Sequence, residues 1–490
     1  MHFESCQWKY DAKFSHYPCV VLERGSPWND YGYVTRFTGY FFPRAGEQRK
    51  LGFVKILQRG RERTELPPDF AQLDDQYCSL GQSLEFYESV RELGLPVATE
   101  ILTGLRDIVL TPALREQFNG EPAYTRSLLR ASSAFRSLSE AGRLFGIAGE
   151  APAPLRFTYT KQLEGFDAPH QLEIAFQAPE KWLGRVVALI GRNGTGKTAL
   201  LGHLAYALSG LSEDETKGLA PLRLPISQVI AISFSAFDTF TRPRRKQVGV
   251  NHIGVNYVYC GLRDKDGNVN LPWAMSMFMA SLKELSQLGR WPLWSRLLKD
   301  SGMLDEFSAP EHVSDSPEAL AAWVPQQSSG HKLILLILAK ALAKIRKGSV
   351  LLFDEPETHL HPHLLSSLMR LLNMMLHEFE SHAIVATHSP IVLQELPARD
   401  VRILEREGPI PIVSGYPGES FGENLTEIVS TAFRVDERSK NYFRILQSLV
   451  KGRTNEAEVV ALFGKGMNLN ARMALHALMA RGKGSEDVES

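Results

Sequence analysis

Apolar and polar positions in this chain follow two different periods, and the change from one to the other marks its organisation. Up to about Leu80 the apolar runs are short and rich in aromatic or β-branched residues: Pro18 to Leu22, Tyr31 to Phe42 and Leu51 to Leu57. Turn-prone Gly25-Ser26-Pro27 and Pro43-Arg44-Ala45-Gly46 separate them, which predicts strands. The spacing then becomes three and four, predicting helices over Ser83 to Leu93, Ala98 to Asp107 and Tyr124 to Phe145. Gly149-Glu150-Ala151-Pro152-Ala153-Pro154 reads as a linker. Strands return at Leu155 to Thr160, Gln171 to Phe176 and Val186 to Ile190.

After Ile190, apolar strands alternate with helices, the pattern of a mostly parallel sheet covered on both faces. The further strands expected are Val229 to Phe234, Val350 to Phe353, Ala383 to Ala386 and Val401 to Leu404. Helical patterning in Trp273 to Leu285 and Trp294 to Leu304 marks an insertion. Beyond Gly415 the chain predicts helices over Leu425 to Phe433, Ser439 to Val450, Glu456 to Phe463 and Asn470 to Met479, with a frayed end from Gly482. The expected division is an α+β unit over 1–150, an α/β unit over 151–415 with a helical insertion at 241–325, and a helical region over 416–490.

Composition narrows the classes. Hydrophobic residues make up 44% and charged residues 22%, ordinary values for a globular chain with a real core. Basic and acidic residues number 55 each, which argues against a surface that binds polyanions everywhere but leaves room for a local patch. Arg59-Gly60-Arg61-Glu62-Arg63 and Arg242-Pro243-Arg244-Arg245-Lys246 are the two basic stretches that could meet DNA or RNA; such clusters are more often solvated surface. Cys6, Cys19, Cys78 and Cys260 are scattered and read as reduced thiols. With no export signal and no long apolar run, the expectation is a cytoplasmic protein without a membrane span.

The chemistry concentrates in five segments. Gly191-Arg192-Asn193-Gly194-Thr195-Gly196-Lys197-Thr198 stands between an apolar strand and the helical Ala199 to Leu208, the context a phosphate-binding loop needs. Glycines let backbone N–H groups close on phosphate, and the helix N-terminus adds positive potential. Lys197 is the candidate for the β- and γ-phosphates and Thr198 for Mg²⁺, with Ala199 completing the loop. Val350 to Phe353 leads into Asp354, a hard oxygen ligand for Mg²⁺, and Glu355, placed to orient or deprotonate a water. Ser328-Ser329-Gly330 precedes an apolar helix; Ser328 suits an ordinary N-cap, and the same groups also suit a site facing a γ-phosphate. His388 in Thr387-His388-Ser389-Pro390 suits a phosphate sensor or an ordinary polar strand end. His359, His361 and His363 alternate, but Pro362 and the absence of supporting cysteines argue against zinc.

Together these segments resemble an ATP-binding-cassette (ABC) ATPase, of the soluble branch that includes the OLD, RecF and SMC proteins. Asp354-Glu355-Pro356-Glu357 with His359-Leu360-His361-Pro362, then Thr387-His388-Ser389-Pro390 and Ser420-Phe421-Gly422-Glu423-Asn424, carry the resemblance. Within the branch the chain is most similar to ATPase subunits of anti-phage systems, such as PtuA of Septu and AriA of PARIS. The resemblance implies Gly191 to Thr198 as Walker A, Asp354 as the Walker B aspartate and Glu355 as the catalytic base. It also implies Ser328 to Gly330 as a signature acting on the partner subunit's nucleotide, Glu357 to His359 as the D-loop and His388 as the switch. ATP and Mg²⁺ are the implied cofactors, and a homodimer, or a higher oligomer, closing on ATP is the implied assembly.

Two departures stand out. His331 follows the signature, and Val229 to Phe234 runs into Ser235-Ala236-Phe237-Asp238 rather than a Q-loop glutamine, with Gln228 at the wrong end. The insertion between Phe234 and Ser328 lacks sustained heptads, and the helical region after Gly415 lacks a His-Asn-His pattern and an acidic metal cluster. The expected load is therefore a separate effector, a nuclease or toxin. The alternatives are a RecF-like ATPase acting directly on DNA and an ATP-binding scaffold with little turnover.

Overall fold

The computed structural model describes residues 1–8, 16–24, 32–147, 154–177, 183–210, 212–222, 224–233, 240, 256–264, 268, 270–358, 360–433, 441–450, 455–464 and 466–486. Three sheets organise it. The first contains β1 (His2–Cys6), β2 (Cys19–Glu23), β3 (Arg36–Arg44), β4 (Glu47–Gln58), β5 (Asp69–Phe70) and β6 (Tyr77–Gly81), in the order β5-β1-β2-β3-β4-β6. Every pairing is antiparallel except β1 with β2. Alternation along the strands sends Phe3, Val20, Leu22, Val54 and Ile56 to one face, against Phe86, Tyr87, Ile101 and Leu102 of the helices Leu84–Arg91 and Leu95–Gly104.

The helix expected over Tyr124 to Phe145 is broken. Tyr124–Leu128 closes as a π-type turn, Ser132–Glu140 is α-helical and Ala141–Phe145 is a 3₁₀ turn. The Lys55 ammonium donates to the Ser127 carbonyl at 2.8 Å and so competes for an acceptor that a continuing helix would use. Of the linker expected over Gly149 to Pro154, residues 149–153 lie outside the described residues.

The second sheet holds β7 (Arg156–Lys161), β8 (His170–Ala175) and, later in the chain, β10 (Leu219–Ala220), in the order β10-β7-β8 and wholly antiparallel. The third holds β9 (Val186–Ile190), β11 (Gln228–Ser233), β12 (Asn256–Cys260), β13 (Ser349–Asp354), β14 (His382–Thr387), β15 (Val401–Glu407) and β16 (Ile410–Gly415). Its order is β12-β11-β13-β14-β9-β15-β16, parallel throughout except the antiparallel edge strand β16. Its central strands β9, β11, β13 and β14 are mostly apolar because both of their faces are buried. One face carries Ala188, Ile232, Phe353 and Val385 against the helices Leu271–Gln287, Ser329–Lys344 and Pro362–Glu378. The other carries Leu189, Ala231, Leu352 and Ala386 against the helix Lys197–Ser209 and the second sheet.

Three expectations are corrected here. The insertion is not wholly helical, because Asn256–Cys260 extends the parallel sheet along β11. That run is too short for its periodicity to show. Gln228 is the first residue of β11 rather than a residue before it; it is buried, and its Nε2 donates to the Lys344 carbonyl at 2.8 Å. The final helix, Leu469–Glu486, also continues past Gly482. Among the described residues, no helix is long and apolar enough to cross a membrane.

Candidate nucleotide site

Parallel strands that end together leave a crevice at their carboxyl ends, where backbone groups are not consumed by pairing. Here β14 lies between β13 and β9, and register places Asp354 opposite Ala386 and Thr387 opposite Ile190. The segments after Ile190, Asp354 and Thr387 therefore emerge side by side, although the chain separates them widely.

The loop after β9 is shaped by its glycines. A Cβ on Gly191 would collide with the Leu404 carbonyl, and Gly196 stands at φ 91° with His170 and Leu163 beneath it. Thr195 folds back, its hydroxyl donating to the Arg192 carbonyl at 2.9 Å, and the His170 ring meets the Thr195 carbonyl at 3.1 Å. The buried Lys197 ammonium donates to the carbonyls of Gly191 at 2.7 Å and Arg192 at 3.1 Å. Burial lowers its pKa, against the pull of Glu355, Asp354 and Glu357. Arg192, Asn193 and Gly194 are exposed, while Thr198 and Ala199 are partly buried at the start of the helix.

Across the crevice, the Thr198 hydroxyl donates to Asp354 Oδ1 at 3.0 Å. These are the two residues expected to hold Mg²⁺, and both supply hard oxygen donors. The next residue, Glu355, has φ 46°, unusual for a side chain other than glycine, and its N–H donates to the Ala386 carbonyl at 2.8 Å. This turn brings its carboxylate within 3.9 Å of His388 Nδ1. Glu357 bonds the same histidine at 3.0 Å. Its hydrogen bond to Glu357 is the main cause of a raised His388 pKa. Burial would raise the Glu357 carboxyl, but hydrogen bonds from the His388 ring and backbone outweigh it and hold the carboxyl low.

Ser328 and Ser329 are exposed, and in this chain Ser328 caps the helix Ser329–Lys344 by accepting the His331 N–H at 3.4 Å. The His331 ring is half-buried against Phe307 at 4.5 Å, and burial lowers its pKa. His331 therefore packs inward, behind Ser328 to Gly330. Ser235 and Asp238, the candidates for the Q-loop position, lie outside the described residues, as do His359, Arg242, Arg244, Arg245 and Lys246. The rings of His361 and His363 stack at 5.6 Å, and among the described residues no group of three metal-binding side chains is found. In the first basic stretch, Arg59 lies over the Phe118 ring at 4.7 Å, 3.6 Å from Glu121, so part of it serves internal packing.

Sequence reasoning missed three neighbours of the site. The resemblance gives Glu357 only as part of the D-loop, and nothing local to it points to a contact with His388. His170 supports Thr195 from the second sheet. Arg192 Nε donates to the Phe433 carbonyl at 2.6 Å, tying the loop to the end of the helix Leu425–Phe433. That bond borders a cleft of about 360 Å³ lined by Arg192 to Thr195, Leu404 to Gly408, Ala432 and Phe433.

Residues 300–394 match the family described as "AAA domain, putative AbiEii toxin, Type IV TA system". Over 500 residues the chain is 27% identical to Protein ea59 of Escherichia phage lambda, covering 93% of this chain and 94% of that protein. Solved structures overlap loosely. An RNase-L inhibitor (TM-score 0.28, 17% identity) is matched over 54% of this chain and 40% of its own, so this chain spans less than half its length. The ADP conformation of an ABC-transporter ATP-binding cassette (TM-score 0.29, 14% identity) is matched over 57% of this chain and 94% of its own. An Smc head bound to the C-winged helix domain of ScpA (TM-score 0.30, 15% identity) is matched over 54% of this chain and 97% of its own. Overlaps this loose carry no functional argument. By its own topology and loop, the chain has a mixed α/β fold of the P-loop kind: a mostly parallel sheet, an antiparallel β subdomain and, among the described residues, a largely helical insertion.

Proposed function

We propose that this chain is an ATPase that closes as a homodimer on two ATP molecules and uses hydrolysis to control a separate effector, a nuclease or toxin, in the contest between phage and bacterium. The observation that carries the enzymatic part is the meeting of Thr198 with Asp354 at 3.0 Å beside Glu355 and His388. Residues from three strand ends converge on one crevice in the arrangement that hydrolysis of a terminal phosphate requires. The toxin description of the matched family and the phage origin of the relative support the effector part. In this reading residues 1–150 dock the partner.

The donor set fits a magnesium nucleotide. Thr198 and Asp354 supply hydroxyl and carboxylate oxygens, and the glycines at 191 and 196 keep a cradle open that side chains would fill. Mg²⁺ held there would neutralise charge on the β- and γ-phosphates. Lys197 would exchange its loop carbonyls for phosphate oxygens, gaining a stronger, charge-assisted partner. Glu355 would take the proton of the attacking water, and His388 would contact the terminal phosphate. Ser328 and Gly330, exposed or partly exposed at a helix N-terminus, would reach the partner's nucleotide.

The test is Glu355→Gln in the full-length chain. ATP binding should persist, phosphate release should fall by about 100-fold or more, and light scattering should show an ATP-held dimer. Normal turnover in that variant would rule out Glu355 as the base.

A further inference from the structure

Glu357 is held far more tightly than its place in the turn after Asp354 requires. A single carboxylate oxygen, Oε1, faces three donors: the Thr387 hydroxyl at 2.8 Å, the His388 backbone N–H at 2.6 Å and His388 Nδ1 at 3.0 Å. The second oxygen, Oε2, is buried without a hydrogen-bond partner. The carboxylate side chain is 10% exposed, whereas the imidazole it grips is 47% exposed. An exposed ring is thus fixed by a largely buried anion.

The direction of these bonds has a chemical consequence. An ionised carboxylate only accepts, so Nδ1 must carry a proton to bond it. A neutral His388 is then the Nδ1–H tautomer, and Nε2, across the ring, is directed away from Glu357. The other charged groups acting on this ring are Glu355, at 3.9 Å from the same Nδ1, and Lys197. Because Oε1 also holds the Thr387 hydroxyl and the His388 N–H, the backbone at the end of β14 is anchored with the ring.

We propose that Glu357 is a positioning residue for catalysis: it clamps His388 through Nδ1 and the backbone so that Nε2 is presented to the terminal phosphate of bound nucleotide. This rests on the ATPase reading above. The clamp joins the turn after β13 to the end of β14, so the turn that carries Glu355 also sets the angle of His388. It works as the carboxylate behind a metal-bound histidine does, fixing tautomer and orientation without touching the reacting atoms.

Full-length Glu357→Ala and Glu357→Gln, with Glu355→Gln and His388→Ala as references, test the proposal. Three readouts apply: affinity for a fluorescent ATP analogue, steady-state phosphate release, and long-range ¹H–¹⁵N spectra of ¹⁵N-histidine protein at a pH where His388 is neutral. The His388 signal is identified by its loss in His388→Ala. Glu357→Ala should keep analogue affinity within about threefold, lower kcat by about 10- to 100-fold and lose the Nδ1–H signature. Its combination with His388→Ala should cost little more than His388→Ala alone. Glu357→Gln retains a carbonyl acceptor, so it should keep the Nδ1–H signature and recover most of kcat; this variant also separates a lost clamp from a misfolded turn. An Nε2–H tautomer in the wild-type protein overturns the proposal, as does full turnover of Glu357→Ala beside an inactive Glu355→Gln. A wild-type protein without turnover sinks the ATPase reading instead, and the tautomer still decides the clamp.

Discussion

At residue scale, the site is built from groups held in conformations or contacts they would not choose alone. Glu355 at φ 46° is one, kept there by its N–H bond to the Ala386 carbonyl. A non-glycine residue in this region costs about 1–3 kcal/mol, which the surrounding strands must sustain. Glu355→Gly should therefore denature at a higher temperature than Glu355→Ala, while neither variant releases phosphate; equal melting temperatures would remove the strain argument. Gly191 is the opposite case. Gly191→Ala drives a methyl group into the Leu404 carbonyl, so it should destabilise the fold by about 1–3 kcal/mol in urea titrations as well as weaken ATP binding. The glycine pattern was legible in the sequence because spacing alone encodes it. The Glu357–His388 pairing was not, because the two residues follow separate strands and meet only when β13 and β14 pair.

At element scale, the ends of the parallel sheet remote from the candidate site carry a cluster that joins the helix Ser132–Glu140 to the turn before β13. Arg136, on the helix Ser132–Glu140, pairs with Glu140 at 3.0 Å and donates to the Lys347 carbonyl just before β13. Replacing it with alanine leaves that carbonyl without this donor, and should lower stability by about 1–3 kcal/mol in denaturant titrations. Full stability in Arg136→Ala would show the contact to be dispensable. His382, the first residue of β14, packs on Phe176 at 4.5 Å. Burial, with Arg185 and Arg136 nearby, pushes its pKa from the ordinary 6.5 down to about 3. The unfolded chain binds this proton as pH falls through 6.5, and the folded chain only near 3, so the unfolded state binds more protons between those values. Stability should therefore decline as pH is lowered through that window, by up to about 1.4 kcal/mol per unit, less whatever the solvent-facing ring edge screens. His382→Gln should flatten this acid limb, and an unchanged slope would assign it to other groups. Periodicity placed β9 and the helix Leu425–Phe433 at their observed bounds. It missed β1, β6, β12 and β16, which are short or lie at or near sheet edges, where partner strands rather than local sequence decide extension.

At the scale of the whole molecule, the exposed Ser328 and Ser329 set a test of assembly. If one subunit's signature completes the other's site, a chain disabled at Lys197 and a chain disabled by Gly330→Asp should each be inactive alone. Mixed before ATP is added, they should recover about a quarter of wild-type turnover, since half the dimers pair unlike chains and each of these regains one intact site. No recovery would argue for sites complete within one chain. The glycine-rich loop after β9, the carboxylate strand and the α/β class were legible in the chain, because they depend on local spacing, backbone freedom and the period of apolar residues. Tertiary structure alone decided that β14 lies between β13 and β9, that Thr198 reaches Asp354 and that Glu357 grips His388. Those contacts follow from strand order, and strand order is set by which buried faces pack together across the whole chain, information that no local pattern carries.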